Sequence, residues 1–560
     1  MRHQLSIPRV RYQNEMTVSV TLSGEVESIR RQAAEIAAGL SKTARRSATI
    51  AQERAVLRML GVDGLDLEGR PLAASLAERY CGADPARLAQ GVILPFVVAM
   101  LEYDLPAREL ALEGVRGAVD LCLEAELLDR PDRLAGAEVL ASQLLGSAFH
   151  RFDANRTAAR EMREVLGVSD EPWLAVALRA SEVESAAGEI GAVVSGGADV
   201  VQIRVPASWE FAEARRQVGL DTPDAYEVTR RGSRPGGRRW RARAERPARP
   251  ARSGSDPVPA GSQRGLTSLR TAADEAAAER GRYASLMTVT SAFAAPEQAV
   301  VAAFERIDLV EADPIREIVE DNVDPERALA DHAFAHRLQA RAGCRVVMGP
   351  GPLALGADVA SGLPSDAATR AGRSLALQAL GVELALVDGL PAERLLIGAL
   401  PRWVADEGDA RAILVQAWLR HLVFSGHSLV VTESDAEPQA HTAVAVLMTA
   451  MAGAAASLVV RHVGPSGVPA ASRDLRTAAS AAAALRASLG DGALRGDAAD
   501  LAARTVRAAG ATLERLAAEG WSSLLGPGGG RSEAERLGRA AVVERATGPK
   551  SGAHLLASLV

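Results

Sequence analysis

The run WLAVALRASEVESAAGEIGAVVSGGADVVQIRV, residues 173–205, changes its hydrophobic pattern twice. WLAVAL (173–178) is a short apolar run of strand length. SEVESAAGEIGAVVSGG is helix-like, and ADVVQIRV (198–205) reads as a second strand. Strand, helix and strand within about thirty residues make a βαβ unit, because a helical crossover returns the chain to lay the second strand parallel to the first.

The alternation continues towards the C-terminus. LTSLRTAADEAAAERG is helical, YASLMTVTS (283–291) and RIDLVEAD (306–313) are strands, and the helix PEQAVVAAFE between them opens at Pro296. Helix 324–342, strand CRVVMG (344–349), helix 366–388, strand RLLIGAL (394–400), helix 407–424, strand HSLVVTES (427–434) and helix 438–458 follow. Seven strands alternating with helices over 172–462 predict an α/β fold, a (β/α)8 barrel of the TIM type with one strand unusual. A doubly wound open sheet is the competing arrangement, but no GxGxxG follows the first strand. The expected division is a helical region over 1–165, the barrel over 166–462 and a C-terminal helical extension over 463–560, with helices near 470–489 and 497–519.

Within residues 1–165, helix is expected over 24–60 and continues through 72–165, with breaks at Gly82-Ala83-Asp84-Pro85 and Asp129-Arg130-Pro131-Asp132. QERAVLRMLGVDGLDLEGRPL (52–72) reads as an amphipathic bracing helix, with Ala55, Val56, Met59 and Leu60 near one face and stops at Gly61 and Gly64. The segment 221–264 concentrates Arg, Pro and Gly with almost no apolar residues, so it cannot bury a core and is expected to be disordered.

The 560 residues are 48% apolar and only 3% aromatic, and Ala is abundant, which favours helices packed through small side chains. The net charge of −6 argues against nucleic acid or an anionic membrane as the main partner. Cys81, Cys122 and Cys344 form no CxxC pair, which fits a reducing cytoplasm and excludes a cysteine zinc site. No signal peptide or apolar span of about 18 residues is visible. Lysine occurs only at Lys42 and Lys550. A mechanism that needs an active-site lysine therefore uses one near a terminus or borrows one from another chain.

Among candidate groups, His332 and His336 stand at i, i+4 on a helix and could face one metal. The protease form of that motif places Glu after the first His, where this chain has Ala333, and no third ligand is spaced to join them; a core or solvated pair is favoured. His421, His427, His441 and His462 form no ligand pattern. GPGPLALG (349–356) follows a strand and is either a phosphate cradle or, more simply, a bare turn. Glu320, Asp321, Glu433 and Asp435 fall where barrel active-site loops lie. Arg204 and Ser291 each end an expected strand at that rim. An Arg fork with a hydroxyl suits a phosphate or carboxylate; a rim salt bridge and a helix cap are the alternatives.

Five collinear stretches carry a family resemblance. They are ERAVLRMLGVDGLD (53–66) with the Pro71-Leu72 pair, NRTAAREMR (155–163), GGADVVQIR (196–204), SAFAAPEQAVVAAFERID (291–308) and LGVELALVDGLPAERLLIGAL (380–400). In order and spacing they resemble the α subunit of the lysine 5,6-aminomutase family, whose pattern reads VERAV-RLLGIDGVD and SGLCMPEIAAMGAIERLD at the first and fourth. The resemblance implies a barrel subunit of an adenosylcobalamin- and pyridoxal-phosphate-dependent isomerase, moving an amino group by radical chemistry on D-lysine, β-lysine or a related diamino acid. It also implies a smaller cobalamin-binding β subunit that supplies the aldimine-forming lysine and the cobalt-ligating His. The two poorly placed lysines, and the lack of a DxHxxG stretch, fit that division.

By the same resemblance Arg204 and Ser291 are cofactor-binding, and Ser208 takes the phosphate-binding serine with a one-residue shift, because VPASW stands where the family has TTGQS. Other positions depart. Arg316 falls where the family stacks a Tyr on the cofactor ring, Glu320 or Asp321 where it has an Arg, and Gly351 where it has an Asp. No Lys accompanies VVTESD. A barrel repurposed away from pyridoxal-phosphate chemistry is the alternative reading.

Overall fold

A computed structural model describes residues 15–66, 70–169, 173–178, 183–203, 261–290, 294–320, 322–351, 366–399, 410–432, 456–461, 497–525 and 543–547. The N-terminal part contains α1 (Glu15–Ala44), β1 (Ser47–Thr49), α2 (Ile50–Met59), α3 (Leu72–Cys81), α4 (Pro85–Gln90), α5 (Ile93–Tyr103), α6 (Ala107–Arg116), α7 (Leu121–Glu126) and α8 (Pro131–Leu166). The chain breaks where Gly and Pro were expected to break it: Gly82 ends α3 and Asp84 caps α4, with Pro85 at its first turn.

The helix expected over 24–60 is two helices. The three-residue strand β1 separates them, and Thr49 caps α2 by accepting from Gln52 N at 3.2 Å. Nor is α2 amphipathic in use, since nearly every residue from Ile50 to Met59 is buried. Its polar side chains bond outward in different directions. Gln52 Nε2 donates to Ala330 O at 2.8 Å, Glu53 Oε2 accepts from Val92 N at 2.8 Å, and Arg54 pairs with Glu78 at 3.0 Å. A helix surrounded by protein needs such partners, because a buried donor or acceptor left unpaired costs about 1–3 kcal/mol.

The barrel follows as β2 (Trp173–Leu178), α9 (Val183–Ser195), β3 (Val200–Ile203), α10 (Gly261–Arg280), β4 (Ser285–Val289), α11 (Ala295–Phe304), β5 (Leu309–Ala312), α12 (Pro314–Val319), α13 (Pro325–Ala342), β6 (Arg345–Met348), α14 (Ala367–Val387), β7 (Leu395–Ala399), α15 (Ala410–Val423), β8 (Leu429–Thr432) and β9 (Ala456–Arg461). All neighbours are parallel and the barrel closes from β2 to β9, with Trp173 opposite Ala456 through Leu178 opposite Arg461. The fold is therefore the (β/α)8 barrel and not the open sheet. The missing eighth strand is β9, at residues placed in the tail of a helix over 438–458. Its Ala-rich approach (MTAMAGAAAS) has the composition of a helix, whereas ASLVVR is held as a strand by ladders to β8 and β2 on its two sides.

Ala175, Val200, Met287, Leu309, Val347, Leu396 and Val430, one from each of seven strands, pack together along the axis. Outside the barrel, α16 (Asp497–Glu519) and α1 lie against α14, sharing a cluster that includes Leu22, Ile29, Leu375, Ala376, Ala379, Val506 and Ala509. A final strand β10 (Arg545–Thr547) pairs antiparallel with β1, and Arg327 on α13 pairs with Glu544 beside it. At the N-terminal end of β5, Asp308 accepts from Tyr283 Oη at 2.7 Å, Leu286 N at 2.9 Å, Arg270 Nη1 at 3.2 Å and Arg163.

Candidate functional site

Side chains alternate along a strand, so two steps beyond the axial layer the next inward residues at the C-terminal end are Gln202 on β3 and Glu311 on β5. Gln202 Nε2 donates to Glu311 Oε2 at 2.7 Å. β3 and β5 are separated by β4, so this bond crosses the inside of the barrel. Gln202 is fully buried, and its Oε1 has no hydrogen-bond partner among the described residues.

One further inward step brings Asp313 to the mouth. It caps α12 by accepting from Arg316 N at 3.0 Å, and its second oxygen accepts from Gly351 N at 3.1 Å. Gly349 makes room for it, since a Cβ there would lie 2.6 Å from Asp313 Cβ, and Gly351 sits at φ +76°. The first residues of the Gly-Pro turn thus bind a carboxylate of their own chain, with the Gly351 amide already occupied. Burial pushes the Asp313 carboxyl up to about 6, against the Arg316 charge and amide that favour the anion.

That shift has a testable sign. Between the ordinary value of 3.8 and about 6 the folded state binds the extra proton, so stability falls as pH rises through this window. Above it the charged carboxylate costs about 3 kcal/mol. Asp313→Asn keeps a capping oxygen without the charge. Its side-chain nitrogen meets the second amide, Gly351 N, as donor against donor, which costs about 1–3 kcal/mol at every pH. The difference between variant and wild type is therefore expected to move in the variant's favour by about 1–2 kcal/mol from pH 5 to pH 8, as denaturant titrations at the two pH values will read.

Behind Asp313, Glu317 on α12 meets His332 on α13, with Nε2 to Oε2 at 2.8 Å, and both are buried. Burial opposes a charge on His332, but Glu317, and then Asp331 and Asp313, outweigh it and raise the imidazole above its usual value. His336 goes the other way: burial depresses it and Asp388, 3.5 Å away, only partly offsets this. The i, i+4 histidines are thus core residues, and no metal-holding group of three or more His, Cys, Asp or Glu occurs among the described residues.

The β6 and β7 ends are held from outside. Gln378 Nε2 on α14 donates to Gly349 O at 3.0 Å and Gly398 O at 2.6 Å, and its Oε1 accepts from Arg420 Nε at 2.8 Å. Arg420 also donates to Gln416 Oε1 at 2.8 Å and Ser374 Oγ at 3.1 Å, and Ser374 Oγ donates to Pro350 O at 2.5 Å. Arg420 is wholly buried, with amides and a hydroxyl as partners and no carboxylate among the described residues. Burial lowers its pKa to about 10, so it stays a cation at neutral pH.

Arg204, Ser208 and Ser291 lie outside the described residues, as do Asp321, Glu433, Asp435, His441, His462, residues 221–260 of the Arg-rich segment and the helix expected near 470–489. In sequence, Arg204 follows Ile203, the last residue of β3. Ser291 follows Thr290, which donates through its amide to Glu311 O at 2.8 Å. Arg316 is half-buried on α12 and Glu320 is exposed at its end. The residues that sequence reading missed are Gln202, Glu311, Asp313 and Glu317. A signal was present in VVQIR and LVEAD, where a polar residue interrupts a strand otherwise apolar on both faces.

The residues that the resemblance assigns to the phosphate, Arg204, Ser208 and Ser291, lie outside the described residues. Among the described rim residues, Glu311, Asp313 and the Gln202 oxygen offer acceptors, which suit a cationic group.

A family model described as the D-lysine 5,6-aminomutase TIM-barrel domain of the alpha subunit matches residues 21–208 and 259–429, well over half of the chain. The lysine 5,6-aminomutase alpha subunit of Fusobacterium nucleatum is 25% identical over 378 residues, 67% of this chain and 64% of that protein. The corresponding subunit of Acetoanaerobium sticklandii is 24% identical over 375 residues, 67% of this chain and 63% of that protein. The chain thus spans just under two thirds of the length of these relatives. The match omits residues 209–258, most of the Arg-rich segment, and stops before β9 closes the barrel. With a closed parallel barrel to carry it, the chain belongs to the family of D-lysine 5,6-aminomutase alpha-subunit TIM-barrel domains.

Proposed function

We propose that this chain is the barrel subunit of an aminomutase, an isomerase that moves an amino group between adjacent carbons of D-lysine, β-lysine or a related diamino acid. The observation that carries this reading is a family barrel whose mouth is acidic and which has no lysine between Lys42 and Lys550. Such a barrel suits a basic substrate and depends on another chain for a Schiff-base nitrogen. The partner is accordingly a smaller cobalamin-binding subunit that brings that lysine and the cobalt-ligating His. Adenosylcobalamin and pyridoxal phosphate supply the radical and electron-sink chemistry. In this reading Arg204, Ser208 and Ser291 take the phosphate. This chain's own part is to bind, to orient and to exclude water.

Co-expression with a cobalamin-binding subunit, followed by an absorbance titration with pyridoxal phosphate, tests the reading. A saturable spectral change that weakens about tenfold or more in Arg204→Ala supports it, the size expected for a charge-assisted phosphate contact. An unchanged spectrum sinks it and leaves a repurposed barrel.

A further inference from the structure

Resting on the reading that the mouth takes a basic amino acid, we propose that Gln202 and Glu311 form the specificity floor of the site, holding the substrate's second, unreacting ammonium group. Three observations converge. The pair sits inside the barrel, one alternation above the apolar axial layer and below Asp313. Gln202 Oε1 is a fully buried acceptor with no hydrogen-bond partner among the described residues, an expensive state unless a donor arrives. Among the described residues, the Glu311 carboxylate bonds only Gln202, through Oε2, and it is half-buried.

The other carboxylates nearby are already committed. Asp313 uses both oxygens on backbone amides, and Glu317 is hydrogen-bonded to His332 at 2.8 Å. Among the described residues, Glu311 is thus the carboxylate left to meet a cation. A primary ammonium has three donors and one charge, enough to satisfy the Glu311 oxygen and the Gln202 oxygen together. A metal ion is a poorer match, because no third carboxylate, His or Cys joins the pair among the described residues. On β6 and β7 the same level is Gly349 and Gly398, so no side chain from those strands fills the axis there.

The test compares lysine with 6-aminohexanoic acid, which keeps the C6 amino group that migrates and lacks the unreacting one on C2, by calorimetric titration of the full-length protein. Wild type is expected to prefer lysine by about tenfold or more, the usual size of a charge-assisted hydrogen bond. Glu311→Gln is expected to abolish the preference while leaving affinity for 6-aminohexanoic acid unchanged. Glu311→Asp, which keeps the charge on a shorter arm, is expected to restore part of it. Should Glu311→Gln fold poorly, Gln202→Met provides a second variant that must also lower the preference. Equal affinities in wild type, no binding of either amino acid, or a preference untouched by Glu311→Gln overturn the proposal. The cofactor reading fails separately. A preference that depends on Glu311 without any pyridoxal phosphate titration leaves the floor standing and removes the cofactor. A normal titration with an indifferent Glu311→Gln does the reverse.

Discussion

Asp308→Ala is expected to cost about 3–5 kcal/mol of stability, the penalty for breaking a buried ion pair from one side. The carboxylate is almost wholly buried and receives four donors from three parts of the chain: Arg163 on α8, Arg270 on α10, and the Tyr283 hydroxyl and Leu286 amide at the start of β4. Arg163 and Arg270 also lie over the Tyr283 ring, at 4.9 and 5.5 Å from its centroid. Burial first, and the Asp308 charge second, raise the Tyr283 phenol, so it remains a donor. Removing Asp308 leaves Arg270 with Asp274 at 2.5 Å but strands the phenol and the amide. Tyr283→Phe removes one donor only and is expected to cost about 1 kcal/mol. Equal losses in the two variants, read by urea denaturation, would show that Asp308 is not the node.

Gly372→Leu is expected to lift α16 off the barrel, at a cost of about 3 kcal/mol or more. A Cβ on Gly372 would lie 2.6 Å from Ala508 Cβ and 2.8 Å from Ala509 N, and would meet the Thr505 carbonyl. The obstacle is helix backbone, which cannot rotate aside as a side chain can. The smaller change Gly372→Ala separates two accounts of this position. Helix propensity alone makes Ala better than Gly by about 1 kcal/mol, so an uncrossed helix would gain stability. The observed crossing demands a loss. Denaturation midpoints give the sign, and faster amide exchange confined to α16 would identify the element released.

The same glycine shows how far composition could be read. Abundant Ala and scarce aromatics pointed to helices packed through small side chains, and Gly372 against Thr505 and Ala508 is such a contact. Composition could not say which helices meet, because α14 and α16 lie more than a hundred residues apart in the chain. β9 was missed for a related reason: its six residues carry no period of their own to set against an Ala-rich approach, and the ladders to β8 and β2 decide the matter. In α2 the pattern of Ala55, Val56, Met59 and Leu60 marked one buried face but not the second, since Gln52, Glu53 and Arg54 look solvent-facing until their partners on other helices are known.

By itself the sequence determined the kind and order of the elements. Period-2 and period-3.6 patterns are local properties, legible within ten to twenty residues, and repeated βα units leave few parallel architectures open. Only the tertiary structure decided that the sheet closes from β2 to β9, and that Gln202 faces Glu311, 109 positions away. It likewise decided that Asp313 is buried against Gly349 and Gly351 at the head of α12. Inward or outward facing along a strand is set by alternation, but which inward residues share a level depends on register between non-consecutive segments. That register is chosen by the ladder hydrogen bonds and the axial packing of the closed barrel, and neither is written in any one stretch of chain.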